Sequence, residues 1–171
     1  MWDFTRRGHS SVGVEGSDYS LCEQRAAWRT IPDRLFTADI CYPFHFTDGV
    51  GRRVLSDVIS GWELFEHIPE AQLAGLLQNI TKNLRPGGYL TASIATFPDC
   101  DEATGAIYHH TVKSRDWWEE RFRSVGLMPI DGVFNLGDFV RGTGNPTAYD
   151  WDVRARPDLG FHVVLRHEPL A

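Results

Sequence analysis

The chain has few cysteines, no long apolar run and no excess of basic residues. Its only cysteines are Cys22, Cys41 and Cys100, which form no CxxC pair and therefore indicate neither a disulfide framework nor a zinc knuckle. No apolar run approaches the roughly 20 residues that cross a bilayer, and residues 1–7 lack the apolar core of a signal peptide. The net charge of −6 argues against a nucleic-acid-binding surface. We therefore expect a reduced, cytoplasmic protein that binds neither membranes nor nucleic acid.

Strand and helix patterns alternate along the chain. This alternation predicts one α/β domain over residues 1–171 with a largely parallel sheet. The predicted strands are residues 12–15, 35–40, 54–60 and 89–95, and a helix is predicted over 19–30 with Ser17 or Asp18 as its cap. Residues 133–134, 139–140 and 161–165 predict a C-terminal antiparallel hairpin, with a long loop over 141–157.

Two further helices carry clear signals. The first begins near Pro69, ends before Arg85-Pro86-Gly87-Gly88, and places five apolar residues on one face: Leu73, Leu76, Leu77, Ile80 and Leu84. The second spans residues 114–125, with Ser114 as cap and Gly126 as stop. Its predicted inward side chains are Trp117, Phe122 and Val125.

The first predicted strand ends in a residue with a carboxylate side chain, Glu15. In nucleoside-binding α/β folds, an acidic residue at the end of the second strand holds the ribose hydroxyls, about 20 residues after a glycine-rich turn. Glu15 has this local setting, but it stands too close to Met1 for such a turn and strand to precede it. We therefore interpret the chain as a nucleoside-binding domain whose first strand is missing.

Two segments, separated by one predicted helix, are similar to the sequence pattern of a known protein family. They read VISGWELFEHIP over residues 58–69 and LRPGGYL over residues 84–90. Together they resemble class I S-adenosylmethionine-dependent methyltransferases, and the likeness extends over residues 12–165. The resemblance implies a Rossmann-like sheet with helices on both faces, S-adenosylmethionine as cofactor, and methyl transfer to a small-molecule acceptor.

The resemblance also implies which residues hold the cofactor. Glu15 matches the residue that holds both ribose hydroxyls, and Gly16 permits close approach of the adenosine. Asp39 matches the acceptor of the adenine amino group, Ile40 packs on the base, and Trp62 lines the pocket near the methionine portion. Three of these positions also have a structural interpretation: Glu15 as an exposed carboxylate after a strand, Asp39 as an aspartate in a solvated turn, and Trp62 as a tryptophan in the core.

Two histidines are candidate catalytic residues. His67 follows Glu63 and Glu66 near the carboxyl end of a strand, where ligands bind in α/β folds. Histidine as a residue type titrates near neutral pH, so His67 could act as a general base on a hydroxyl acceptor, or it could simply cap the following helix. The resemblance places the segment with His109 and His110 on the acceptor side of the pocket. At most one of these neighbours faces a substrate, and we take His109 as the candidate. No further ligands lie at close spacing, so no metal site is expected.

The family's glycine-rich Gly-x-Gly-x-Gly turn is absent. Its strand lies at the centre of the sheet, and its loss would leave buried backbone groups unpaired at about 1–3 kcal/mol each. We expect the remaining strands to re-pair, a partner chain or second copy to fill the gap, or the chain to be an incomplete gene product with impaired activity. The alternatives to a methyltransferase are a non-catalytic binding module and another nucleoside-binding enzyme, such as a nicotinamide-dependent one.

Overall fold

The computed structural model describes residues 2–135, 153 and 155–170. Internal contacts divide the chain into two units, Met1–Phe44 and His45–Ala171. The organisation as a single domain therefore stays a prediction. Within the described ranges, no helix combines the length and the apolar character that a membrane crossing requires.

The first unit contains a pair of parallel strands. Its elements are α1 (Trp2–Arg6), β1 (Gly13–Glu15), α2 (Tyr19–Cys22), turns at Ala26–Arg29 and Pro32–Arg34, and β2 (Leu35–Thr37). Strand β1 runs parallel to β2, with Glu15 opposite Thr37. The helix predicted over residues 19–30 is interrupted, because Gln24 and Ala26 have φ angles of 50° and 46°. Such left-handed residues cannot continue an α-helix.

The second unit holds a mixed four-stranded sheet. Its elements are β3 (Phe46–Thr47), β4 (Arg53–Val54), β5 (Ser56–Trp62), turns at Phe65–His67 and Glu70–Gln72, α3 (Leu73–Asn83), β6 (Leu84–Ala95), α4 (Arg115–Arg123), β7 (Leu127–Pro129) and β8 (Gly160–His167). The strand order is β5-β6-β8-β7, while β3 and β4 form a separate antiparallel pair. Strand β5 is parallel to β6, whereas β8 is antiparallel to both of its neighbours.

The predicted apolar face of α3 is confirmed. Five side chains on it are at most 6% exposed: Leu73, Leu76, Leu77, Ile80 and, just after the helix, Leu84. Pro69 does not begin the α-helix as predicted, since the short turn Glu70–Gln72 comes between it and Leu73. The helix is amphipathic, so it packs its leucine face into the core of the second unit.

Helix α4 begins as predicted but presents a different tryptophan to the core. The Ser114 hydroxyl accepts a hydrogen bond from the backbone N–H of Trp117 at 3.4 Å. Gly126, after the end of the helix, has a φ of +79°. Trp118 and Phe122 are fully buried, whereas Trp117 is half-buried. The Trp117 ring lies instead beside two cations, 4.8 Å from the Arg121 guanidinium carbon and 5.3 Å from Lys113 Nζ.

The Arg-Pro-Gly-Gly segment forms an irregular start of β6 rather than a loop before it. Pairing with β5 jumps from Ser56–Leu84 to Val58–Tyr89, so four residues of β6 lie between two paired positions. Gly87 has a φ of +76°, and a Cβ on Gly88 would lie 3.0 Å from the Asp57 carbonyl oxygen. Both glycines are therefore required by the backbone path.

The antiparallel pair near the C-terminus uses a different first strand from the one predicted. Residues 133–134 form a bend and residues 139–140 lie outside the described residues, while β7 at Leu127–Pro129 pairs with β8. Strand β7 lies at the edge of the sheet, and proline is tolerated in edge strands because its missing N–H leaves no ladder bond broken.

Candidate functional site

The first unit places one acidic residue at, and another just beyond, the carboxyl ends of two neighbouring strands. Glu15 is the last residue of β1, and Asp39 follows the end of β2 by two residues. The Ala38 N–H donates to the Glu15 carbonyl oxygen at 3.0 Å, which joins the two strand ends. Parallel strands end at the same edge of a sheet, so Glu15 and Asp39 lie at the edge where α/β folds bind ligands.

The Glu15 carboxylate also has a structural role. Its Oε1 accepts a hydrogen bond from Ser20 Oγ at 2.8 Å, and its Oε2 accepts one from Trp28 Nε1 at 2.8 Å. These bonds fix the segment after β1 against the strand end. A carboxylate can accept about four hydrogen bonds, so they do not by themselves exclude the two hydroxyls of a ribose.

Asp39 lies on the surface and shapes the turn that follows it. Its Oδ1 accepts a hydrogen bond from the Cys41 N–H at 2.9 Å, and its carbonyl oxygen accepts one from the Tyr42 N–H at 3.2 Å. Partial burial and the negative charge of Asp39 raise the pKa of the Cys41 thiol to about 11. Ile40 is half-buried, and a Cβ on Gly16 would meet no heavy atom within 4 Å, so only a ligand would make glycine necessary there.

In the second unit, β5 ends at the segment that resembles methyltransferases. Trp62 is the last residue of β5, rather than following it, and its ring stands edge-on to His162 with centroids 6.4 Å apart. Glu63 has a φ of +49°, and its N–H donates to both the carbonyl oxygen and the hydroxyl of Ser93, each at 3.1 Å. The fully buried Phe65 ring packs edge-on against Phe122 with centroids 5.5 Å apart, which anchors the turn after β5.

The structure brings the two predicted catalytic histidines together. The ring centroids of His67 and His109 are 4.9 Å apart. Three hydrogen bonds join residues 108–111 to residues 66–68. Thr111 donates two of them, from its backbone N–H to the Glu66 carbonyl at 2.9 Å and from Oγ1 to the Ile68 carbonyl at 2.6 Å. The third joins His67 Nδ1 to the Tyr108 carbonyl at 2.8 Å. His109 is buried and His110 exposed, in agreement with the expectation that they face different sides.

Both histidine rings are oriented by backbone carbonyls. His67 Nδ1 lies 2.8 Å from the Tyr108 carbonyl oxygen, and His109 Nδ1 lies 2.7 Å from that of Phe97. A carbonyl only accepts hydrogen bonds, so each Nδ1 carries the proton and donates it. In the neutral rings, Nε2 therefore holds the lone pair that can accept a proton or bind a metal ion.

Glu66 completes this arrangement from the same turn. Glu66 is 0% exposed, and its Oε1 accepts a hydrogen bond from the backbone N–H of Ala95 at 3.2 Å. Its Oε2 is buried and has no hydrogen-bond partner among the described residues. Burial, together with the charge of Glu63, raises the pKa of Glu66 to about 7. One potential ligand atom each from Glu66, His67 and His109 lies within 4.8 Å of the other two, and we call these residues the Glu66–His67–His109 cluster.

Sequence spacing did not reveal this cluster. His109 is remote from the Glu66-His67 pair in sequence, and hydrogen bonds between residues 66–68 and residues 108–111 join the two segments. A cavity of about 960 Å³ lies elsewhere in the second unit, lined by residues of α4, β7, β8 and adjacent segments. It contains none of the seven residues predicted as cofactor-binding or catalytic.

Comparisons with solved structures show which fold this is. The glycopeptide N-methyltransferase MtfA complexed with S-adenosylmethionine matches with a TM-score of 0.61 and 15% identity, over 100% of this chain and 77% of that chain. A chain of the complex between the Haloferax volcanii Trm112 methyltransferase activator and the putative methyltransferase matches with a TM-score of 0.60 and 18% identity, over 96% and 75% of the two chains. The N-methyltransferase NodS from Bradyrhizobium japonicum WM9 matches with a TM-score of 0.52 and 17% identity, over 92% and 74%.

The chain therefore has the Rossmann-like fold of class I S-adenosylmethionine-dependent methyltransferases. No protein-family model matches the sequence, and no curated protein matches it. At these identities the likeness to solved structures is one of fold.

Proposed function

We propose that this chain binds S-adenosylmethionine and catalyses methyl transfer to a small-molecule acceptor. The observation that carries the proposal is the placement of Glu15 and Asp39 at the joined carboxyl ends of β1 and β2. The methyltransferase fold supports it, and the solved MtfA structure with this fold is complexed with S-adenosylmethionine.

The first unit would hold the adenosine end of the cofactor. Carboxylates accept hydrogen bonds from vicinal hydroxyls and from an exocyclic amino group, which matches the donors that adenosine offers. Glu15 is assigned to the ribose and Asp39 to the adenine amino group, with Gly16 and Ile40 beside them.

The chemistry asks little of the protein beyond positioning. S-adenosylmethionine supplies a methyl group on a sulfonium, which passes in line to a nucleophilic acceptor atom while the electrons of the C–S bond go to sulfur. The protein must hold the acceptor at the correct distance and angle. When the acceptor is a hydroxyl, its proton would go to Nε2 of His67 or His109, the ring atom left with the lone pair.

Calorimetric titration with S-adenosylhomocysteine tests the proposed cofactor site. The wild-type chain is expected to bind with a micromolar dissociation constant, whereas NADH should not bind. Asp39→Ala should raise the dissociation constant roughly 10- to 100-fold, the effect of losing a hydrogen bond to a charged group. Asp33→Ala, an exposed aspartate in the turn before β2, is the matched control and should leave binding unchanged. Equal binding by wild type and Asp39→Ala would remove Asp39 from the site.

The free edge of β5 favours a second candidate, a non-catalytic module that binds a partner strand. Strand β5 spans seven residues at one end of the sheet, and no described strand pairs with its outer side. Val58 on this strand is 39% exposed. An extended segment of another chain could add along this edge. A monomer whose sedimentation does not change with concentration, and which binds S-adenosylhomocysteine, would dispose of this candidate.

A further inference from the structure

We propose that the Glu66–His67–His109 cluster binds a divalent transition-metal ion. One carboxylate oxygen and one nitrogen of each imidazole approach to within 4.8 Å of one another. Ligand atoms around a tetrahedral ion at about 2.1 Å are roughly 3.4 Å apart, so a small closure of the cluster completes the site.

The hydrogen bonds of the two rings match those of metal-binding histidines. A histidine that binds a metal through one ring nitrogen usually donates its other N–H to a carbonyl or carboxylate, which fixes the ring and its tautomer. His67 and His109 both do this, through Nδ1 to the carbonyls of Tyr108 and Phe97 at 2.8 and 2.7 Å. Nε2 of each ring therefore keeps the lone pair that a metal ion requires, and both rings are already oriented.

Glu66 provides the independent observation that a ligand belongs here. Its side chain is fully buried, and among the described residues Oε2 makes no hydrogen bond. A buried carboxylate oxygen without a partner is unfavourable, and buried charges in proteins are paired or bound to metal ions. No Lys or Arg is paired with Glu66 in the described part of the chain. A divalent cation between Glu66 and the two rings would satisfy Oε2.

The ligand set indicates the class of metal. Two imidazoles and one carboxylate suit Zn²⁺, Mn²⁺, Co²⁺ and Fe²⁺, whereas Mg²⁺ and Ca²⁺ prefer sites made of oxygen atoms. Three protein ligands leave one or more coordination positions for water or an acceptor. The exposed side of the cluster at His67 gives these positions access to solvent.

Metal binding at this cluster goes beyond the proposed methyl transfer, and its meaning for catalysis rests on that proposal. An acceptor hydroxyl on an open coordination position would lose its proton more readily, because a divalent cation stabilises the alkoxide or phenolate. The two Nε2 atoms would then act as ligands instead of general bases. Binding of the metal alone requires neither the cofactor nor an acceptor.

Titration of the full metal-free chain with Co²⁺ tests the site directly. We expect one equivalent to bind with visible d–d absorption in the range of a four- or five-coordinate ion, and Zn²⁺ to displace it. His67→Ala should weaken Co²⁺ binding at least tenfold without disturbing the fold, since the side chain is exposed. Glu66→Gln should weaken it to a similar extent. His110→Ala, the exposed neighbouring histidine, is the matched control and should bind like the wild type.

Three results would overturn the proposal: no saturable Co²⁺ binding, unchanged affinity in a folded His67→Ala variant, or an equal loss in His110→Ala. Circular dichroism of each variant establishes that it is folded, and His67→Ala keeps the test valid if Glu66→Gln fails to fold. The titration contains no cofactor, so its outcome is independent of S-adenosylhomocysteine binding. Failure of the metal site and failure of the cofactor site are thereby separate results.

Discussion

The indole Nε1–H of Trp28 donates a hydrogen bond to Oε2 of Glu15 at 2.8 Å. Trp28 is 4% exposed, so its ring is held by the interior of the first unit. The carboxylate assigned to the ribose is therefore oriented by a buried side chain. Ser20 Oγ holds the other carboxylate oxygen at the same distance of 2.8 Å.

Trp28→Phe should weaken cofactor binding by removing the donor that orients Glu15. The substitution keeps most of the buried ring but removes the donor, with a loss of about 1 kcal/mol for the hydrogen bond. We expect a roughly fivefold higher dissociation constant for S-adenosylhomocysteine by calorimetry. Trp117→Phe, at a half-buried position of α4, is the control. An unchanged dissociation constant in Trp28→Phe would show that the orientation of Glu15 does not matter for the ligand.

The stability of the metal-free chain should fall as Glu66 ionises. Folding raises the pKa of Glu66 from 4.5 to about 7, so the folded state binds the proton more tightly than the unfolded state does. The contribution is fully present below pH 4.5 and is lost as the pH rises through 7, with a total of about 3 kcal/mol. The charges of Glu63 and His67 act on the same carboxyl group, which makes a matched variant necessary.

Urea unfolding in EDTA at pH 4.5 and pH 8 measures this change. The wild type should lose more stability over this interval than Glu66→Gln, whose amide does not ionise, by up to about 3 kcal/mol. Glu102→Gln, at an exposed position, should follow the wild type. Parallel pH curves for wild type and Glu66→Gln would mean that Glu66 does not titrate in this interval.

Cys41 should be the slowest of the three cysteines to alkylate. Its pKa of about 11, against an ordinary 9.0, reduces the thiolate fraction at pH 8 roughly 100-fold, and only the thiolate reacts. Cys22 and Cys100 are exposed free thiols. Peptide mapping after timed iodoacetamide treatment gives the three rates. Asp39→Asn should speed the reaction at Cys41 by removing a neighbouring negative charge, and an unchanged rate would show that Asp39 does not act on this thiol.

Trp118→Ala should destabilise the chain far more than Trp117→Ala. Trp118 is fully buried, with its ring stacked on Phe122 and edge-on to Phe65, each at a centroid distance of 6.0 Å. Removing a buried tryptophan costs about 3–5 kcal/mol, while the half-buried Trp117 should contribute less than half of that. Chemical denaturation compares the two variants. Similar losses of stability would contradict the assignment of Trp118 to the core.

The sequence predicted those features that depend on local rules. The leucine spacing of α3 and the Ser114 cap of α4 were predicted because helix periodicity and capping act within a few residues. The interruption of the predicted helix near Gln24 and the burial of Trp118 in place of Trp117 were not predicted. Adjacent tryptophans lie only about 100° apart around a helix, so packing partners decide between them.

The candidate site was predictable in its parts but not in its assembly. Glu15 was identified as the carboxylate that ends the first predicted strand, and Asp39 was identified through the family resemblance. The parallel pairing of β1 and β2 places both at one edge. Hydrogen bonds from residues 108–111 to residues 66–68 bring Glu66 near His109, and no spacing rule describes them. Contacts between segments so distant in sequence follow from tertiary packing.

Backbone NMR of the isotope-labelled chain titrated with S-adenosylhomocysteine tests the central claim most directly. The account predicts saturable chemical-shift changes of the amides at the carboxyl ends of β1 and β2, above all Gly16, Ala38, Ile40 and Cys41. Amides of Val163 and Leu165 within β8 should change little and serve as the internal reference. A folded chain whose amides at residues 16 and 38–41 do not respond would contradict the proposed cofactor site.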